Sequence, residues 1–255
     1  MQPGDTETEL GVPIPGRILE EADWARTAVK RLPAPGPLDW SAIFGRSAPL
    51  VLDLGCGNGR FTLGSAIARP EMDHFAIDVL PVVIRYATRR ANQRGLHHVR
   101  FAVKDAQTFL RTYVGDGAAS EMHLYHPQPY HDPRQAHKRV LTPAFVSDVH
   151  RGLSAGGLFV VQTDNPDYWH YMTRILPYFF VFEEHEGTWP DAPEGRSRRE
   201  IVARQRGLHI FRGAGVRRDD LDLREALDLA ASLPPPRFRS HGPWIELDRW
   251  EESHR

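Results

Sequence analysis

Lysine is almost missing from this chain: Lys30, Lys104 and Lys138 are the only three in 255 residues. Arginine is therefore the default surface cation, and a lone arginine says little about binding. Cysteine is scarcer still. Cys56 stands alone, so no internal disulfide can form, which agrees with a reducing compartment. No apolar run approaches the roughly 18 residues that a membrane span needs. With 41% hydrophobic residues the chain is expected to be soluble and to bury a full core. Met1 to Leu10 is polar and acidic and lacks the apolar segment of an export signal, so a cytoplasmic protein is expected. Charge of one sign is missing as well. A net charge of −1 excludes a globally basic nucleic-acid binder and leaves only local patches to meet a polyanion.

What is present is concentrated in Leu50-Val51-Leu52-Asp53-Leu54-Gly55-Cys56-Gly57-Asn58-Gly59, an apolar strand running into a loop with glycine at every second position. Gly55, Gly57 and Gly59 allow positive φ and close approach of a ligand, and the helix expected over 60–68 would turn its N-terminal amides toward that ligand. Cys56 is a small residue in this tight loop, not a nucleophile. A dinucleotide loop needs its third glycine three residues after the second, and here the interval is two. Asp53, in front of the first glycine, would repel phosphates and suits a cationic ligand. This D-L-G-x-G-x-G followed by Phe75-Ala76-Ile77-Asp78 resembles the S-adenosylmethionine-dependent methyltransferases. The resemblance implies that Asp78, about 20 residues beyond the glycines, holds the ribose hydroxyls. It also implies that Asp105, with Ala106, reads the adenine. Asp105 is equally a candidate N-cap for the helix that follows, and the two roles can coexist.

Strands are expected at 50–54, 74–79, 99–103, 122–125 and 158–162, with helices at 60–68, 81–94, 106–113 and 143–152 between them. Such alternation predicts an α/β fold, a doubly wound and mostly parallel sheet with helices on both faces, as in the Rossmann-like class I methyltransferases. Two last strands are expected at 179–182 and 208–211. Ligands then bind outside the carboxyl ends of the strands, which puts Asp53, Asp78, Asp105, the His126–His131 loop and Asp164 along one edge. Residues 1–37 form a Pro/Gly-rich arm with at most one helical stretch, 19–32; 38–217 form the catalytic domain; 218–255 form an appended helix and tail. In that last part Asp222 and Glu225 make a capping box for an amphipathic helix stopped at Pro234. Trp244 and Trp250 predict that the tail docks somewhere.

After the fourth strand comes His126-Pro127-Gln128-Pro129-Tyr130-His131-Asp132-Pro133-Arg134, then Ala136-His137-Lys138-Arg139. This resembles bacterial tRNA (guanine-N7-)-methyltransferases, which carry F-P-D-P-W-x-K-x-R-H-x-K-R-R here. Asp39-Trp40 through Gly45, Gln162-Thr163-Asp164 with Tyr168, and Gln205-Arg206-Gly207 are similar too, so the likeness spans about Asp39 to Gly215. It implies methyl transfer from S-adenosylmethionine to N7 of a guanine in tRNA, with the variable loop as target. The implied substrate contacts are Tyr130, which could stack on a base, with Arg134, Lys138, Arg139 and Asp164. Three departures fall on the substrate side. The acid between the prolines is Gln128, a lysine is Asp132, and T-x-F-E reads Ile201-Val202-Ala203-Arg204. They leave a second reading open, a cofactor-binding relative with a small-molecule acceptor or a non-catalytic RNA-binding role.

N7 of guanine carries a lone pair and loses no proton, so the reaction needs alignment more than a base. Gln128 keeps a hydrogen-bond acceptor but lacks the charge that would offset a cationic ring. Gln128 and Asp164 together are the expected catalytic pair, Asp164 supplying the charge. Between Glu194 and Arg218 eight arginines face two acids. Arg198, Arg199 and Arg204 in that stretch are candidate phosphate contacts, whereas Arg85, Arg89, Arg90 and Arg94 are expected to be a solvated helix face. The histidines at 126, 131 and 137 match no compact ligand spacing, so no metal is expected. Oligomeric state is not legible.

Overall fold

Most helix starts are written into the chain as side-chain caps, whereas the helices after Gly59 and Leu80 start without one. The computed structural model describes residues 2–239 and 242–253. It opens with a two-residue pair, β1 (Thr8–Glu9) and β2 (Val12–Pro13), then α1 (Trp40–Phe44), β3 (Leu50–Leu54), α2 (Arg60–Ala68), β4 (Asp73–Asp78) and α3 (Pro81–Gln93). It continues with β5 (Val99–Val103), α4 (Ala106–Tyr113), β6 (Ala119–Tyr125), α5 (Pro143–Gly152), β7 (Leu153–Thr163) and α6 (Pro166–Ile175). The last elements are β8 (Phe180–Glu184), α7 (Arg198–Gln205), β9 (Phe211–Arg217), α8 (Leu223–Ser232) and α9 (Trp244–Ser253). Asp105 caps α4, Thr142 caps α5, Asn165 caps α6 and Ser197 caps α7, each accepting from a backbone N–H in the first turn. Asp222 and Glu225 complete the expected capping box of α8.

Seven strands form one sheet in the order β5-β4-β3-β6-β7-β9-β8. β3 to β7 pair in parallel, and β9 and β8 close the far side antiparallel. β3 is buried at every position, as a central strand covered on both faces must be. One core lies under α4, α5 and α6, built on Leu52, Phe75, Phe109, Phe145 and Phe159. A second, on the opposite face, joins Leu63, Ala87 and Phe101 to Ile14 of the arm. The strand order of the sheet reverses at β3, with β4 on one side and β6 on the other, and the crevice there is where a ligand site belongs. Among the described residues no helix is long and apolar enough to cross a membrane.

Three expectations need correction. The stretch 19–32 is not a helix. It holds one 3-10 turn, Glu21–Asp23, and then runs extended beside β5, where Phe101 N donates to Thr27 O and Val29 N to Phe101 O. Tertiary pairing overrides local propensity there. The last strand lies at 211–217 instead of 208–211, because Gly213 and Gly215 read as loop. They are needed for packing: a Cβ on Gly215 would lie 2.6 Å from Phe180 Cβ. The α3 arginines are not all solvated. Arg90 and Arg94 are each 6% exposed and pair with Glu7 of the arm at 2.9 and 3.4 Å.

Candidate active site

The glycine loop follows β3 directly. Gly55, Gly57 and Gly59 have φ of +89°, +53° and +81°. Gly59 is constrained doubly, since a Cβ there would sit 2.8 Å from Ala87 Cβ of α3. Asp78, at the end of β4, accepts from Gly57 N at 3.0 Å and Leu80 N at 2.9 Å, so one carboxylate shapes both loops of the crevice. Asp53 is 2% exposed and accepts from Thr62 Oγ1 at 2.6 Å, while its Oδ1 has no partner. Burial, opposed by the Thr62 hydrogen bond and reinforced by Asp78, pushes its carboxyl up to about 7. A buried, half-satisfied carboxylate on a cavity wall calls for a cationic partner. S-adenosylmethionine, with its ammonium and sulfonium groups, fits that requirement. Burial also pushes the Cys56 thiol well up, as a non-nucleophilic loop residue requires. Asp105 caps α4 through Thr108 N at 2.8 Å and, with Ala106, lines the outer part of the crevice.

Two adjoining cavities, of about 210 and 490 Å³, share Gly55, Asp78, Leu80, Tyr125, His126, Pro127 and Gln128 as lining. They are two lobes of one cleft. The motif loop after β6 forms the partition, and its backbone is unusual: His126 and Tyr130 have φ of +50° and +45°. Bulky residues in that region cost energy and persist only where surrounding contacts impose them. His126 Nδ1 lies 2.8 Å from Asp164 Oδ1, and its Nε2 lies 2.9 Å from Gln162 Nε2. Gln162 also donates to Glu200 and accepts from Trp189, an arrangement that assigns the proton of His126 to Nδ1. Between the two flanking prolines, half-buried Gln128 lines both lobes.

Asp164 is 4% exposed and is gripped by Arg199, with Nη2 at 2.5 Å. Burial alone would raise its pKa. The His126 hydrogen bond and the Arg199 charge outweigh burial and hold it well below the usual carboxylate range. Arg199 also meets Asp248 at 2.7 Å and Glu251 at 3.0 Å, both from α9. Its guanidinium is desolvated, yet these acids keep it above its ordinary value. Arg199 is thus an internal cation, and the expected phosphate contact is not available in this arrangement. Two more arginines of the stretch are similarly engaged. Arg196 bonds Asp191 and the Tyr125 hydroxyl, and Arg212 pairs with buried Glu200.

Other expected substrate residues separate in the same way. Tyr130 and Lys138 line the outer lobe, with Lys138 Nζ 5.9 Å from the Tyr130 ring. Arg139 is 1% exposed and donates to the carbonyls of Pro129, Tyr130, Pro236 and Phe238. It clamps the motif loop to the chain after α8, so its expected RNA contact is replaced by a structural one. Arg134 is exposed and pairs with Asp132, which also caps the 3-10 turn Pro133–Lys138. Arg204 lies outside the cleft and donates to Pro193 O. Arg198 lines the cleft, 31% exposed, near Glu9 and Glu251.

Sequence reasoning missed Asp248 and Glu251. The expected docking of the tail was its only trace: Trp250 lies against Arg198 and Arg206, 5.2 and 5.0 Å from ring centroid to guanidinium carbon, and Leu247 is fully buried against Val202, Ala203 and Ile210. The two acids flank that apolar anchor at i, i+3 spacing, a face readable once α9 is known to dock.

Residues 47–211 match the profile of a family described as "Putative methyltransferase". The tRNA (guanine-N(7)-)-methyltransferase of Saccharophagus degradans is 31% identical over 178 residues, 70% of this chain and 78% of the relative. That of Aeromonas hydrophila is 31% identical over 182 residues, covering 71% and 76%. That of Alkalilimnicola ehrlichii is 31% identical over 185 residues, covering 72% and 78%.

Proposed function

We infer the function from this premise: the chain belongs to the tRNA (guanine-N7-)-methyltransferase family, and it transfers a methyl group from S-adenosylmethionine to N7 of a guanine in tRNA. The observation that carries this reading is the meeting of two half-sites in one cleft. The glycine loop with Asp53 and Asp78 forms one wall, and the Pro127-Gln128-Pro129 partition stands across from it. We take the guanine to lie in the variable loop and the protein to work in the cytoplasm, with 38–217 as the catalytic unit.

S-adenosylmethionine, when bound, supplies a methyl group activated by a positively charged sulfur. Asp78 would hold its ribose, Asp105 and Ala106 its adenine, and the orphaned Asp53 oxygen its cationic end. Gln128 presents a neutral acceptor for a guanine N–H, its position set by the prolines and by the strained backbone on either side. Alignment of N7 carries most of the barrier reduction, because no proton has to leave. Asp164 lines the inner lobe and holds His126 and Arg199 in place, with both of its oxygens engaged in doing so. Tyr130 and Lys138 on the outer lobe, Arg198 on the inner lobe and exposed Arg134 are available to the tRNA backbone and bases.

The test is methylation of unmodified tRNA transcripts by the purified protein, with products read by mass spectrometry. 7-Methylguanosine should form, and replacing the acceptor guanine by 7-deazaguanine should abolish it. A methyl group at another atom, or a product only with small molecules, would sink the reading.

A further inference from the structure

Five carboxylates line the inner lobe of the cleft: Asp53, Asp78, Asp164, Asp248 and Glu251. Four of them have defined duties. Asp53 lies behind the glycine loop on Thr62, and Asp78 accepts from the amides of Gly57 and Leu80. Asp164 is held by His126 and Arg199 through both oxygens. Asp248 gives one oxygen to Arg199 and the other to His131. Glu251 differs. Its Oε2 meets Arg199 at 3.0 Å, and among the described residues its Oε1 has no hydrogen bond, Arg198 at 3.8 Å being beyond that distance. The side chain is 14% exposed and lines the inner lobe, so it is held in a partly dry wall.

The acids of this wall are not equally partnered. Among the described residues, Asp164 and Asp248 each add an imidazole, His126 and His131, to their contact with Arg199, whereas Glu251 meets only guanidiniums, Arg199 and, further off, Arg198. In the reaction inferred above, guanine uses its N7 lone pair for the new N–C bond while the methyl–sulfur bond breaks and leaves its electron pair on sulfur, and guanine keeps all its protons. The positive charge that leaves the sulfonium therefore arrives on the ring. A preorganised negative charge at that wall stabilises the transition state more than the neutral ground state.

We propose that Glu251, on the tail helix α9, is a catalytic residue that faces the guanine and offsets the charge its ring acquires, a role the neutral amide of Gln128 does not perform. The proposal rests on the guanine-N7 reading. The catalytic cleft then extends beyond 38–217 to α9, which begins only at Trp244.

Single-turnover methylation of a tRNA transcript tests it, comparing wild type with Glu251→Gln and Glu251→Asp, while calorimetric titration of cofactor and thermal melting report on the fold. Glu251→Gln should slow methylation on the order of 10²-fold, the scale of losing one preorganised electrostatic group, with cofactor affinity unchanged. Glu251→Asp should retain most of the rate, and Gln128→Asp placed in the Glu251→Gln background should restore part of it from the partition. A lower melting temperature with an unchanged rate would reduce Glu251 to a structural ion pair and overturn the proposal. A faster rate would overturn it too, by making α9 a barrier to tRNA. Absence of 7-methylguanosine with the wild type would instead defeat the guanine-N7 reading itself, before any variant is compared.

Discussion

The two walls of the cleft are built by different means. On the cofactor side, Asp53, the glycine loop, Asp78 and Asp105 sit at the ends of three adjacent parallel strands and are held by backbone amides and nearby hydroxyls. On the acceptor side, His126, Asp164, Arg199, Asp248 and Glu251 come from four distant parts of the chain and are held by charge, with contacts such as His131 to Asp248 spanning 117 residues. The first wall is held by local contacts, each tying a residue to a neighbouring loop or helix. The second is a buried network, in which removing one member strands several others.

Four experiments bear on that contrast. The largest effect is expected from Arg199→Ala, which leaves Asp164, Asp248 and Glu251 without their shared cation. Breaking a buried pair in this way costs about 3–5 kcal/mol, whereas Arg198→Ala, at a partly exposed site, should cost under ~1 kcal/mol. Urea denaturation of both variants measures the difference, and equal midpoints would mean that the acceptor wall does not hang on one buried cation. Next, Asp78→Ala should weaken cofactor binding by about 1.5–3 kcal/mol, the range for charge-assisted hydrogen bonds. Calorimetry showing equal affinities would remove Asp78 from the cofactor wall.

A smaller effect concerns protons. Asp53 has its pKa raised from an ordinary 3.8 to about 7 in the folded protein. The folded state therefore holds a proton that the unfolded chain has lost across that window, and this group's contribution to stability declines as pH rises from about 4 to about 7. A cationic ligand favours the ionised form, so cofactor binding near pH 6 should release up to about one proton. Titration in buffers of different ionisation enthalpy reads that number. Asp53→Asn should abolish it and flatten the stability profile, and an undiminished release in that variant would place the proton elsewhere. The smallest effect is expected from Arg134→Ala. It should leave folding untouched and lower the salt dependence of tRNA affinity by about one phosphate contact; an unchanged slope would return Arg134 to plain surface.

The same contrast explains what could be read in advance. The parallel sheet, most helix starts and the cofactor wall follow from short-range signals: apolar runs, caps, and glycines whose spacing speaks to one ligand class. The acceptor wall does not. α7 was legible only as a run of charge, because its buried face includes Arg199 and Glu200 beside Ile201 and Val202, so no apolar stripe marks it as a helix. Counting arginines pointed to phosphate, yet partners for Arg139, Arg199 and Arg212 were supplied by carbonyls and carboxylates far along the chain. Gln128 was legible as a departure from the family pattern, but nothing local pointed to Asp248 or Glu251 on the far side of the chain.

The arm's passage beside β5 has a consequence for handling the protein. Thr27 to Val29 satisfy backbone groups of Phe101 on a strand that would otherwise be the open flank of the sheet. Val103, at its end, is already 45% exposed. A shortened chain that begins near residue 38 would keep every group of the cleft from β3 onward and still present that flank as a template for another copy. Its failure would look like poor yield and light scattering rather than lost chemistry, and trimming the arm would be misjudged as damage to the site.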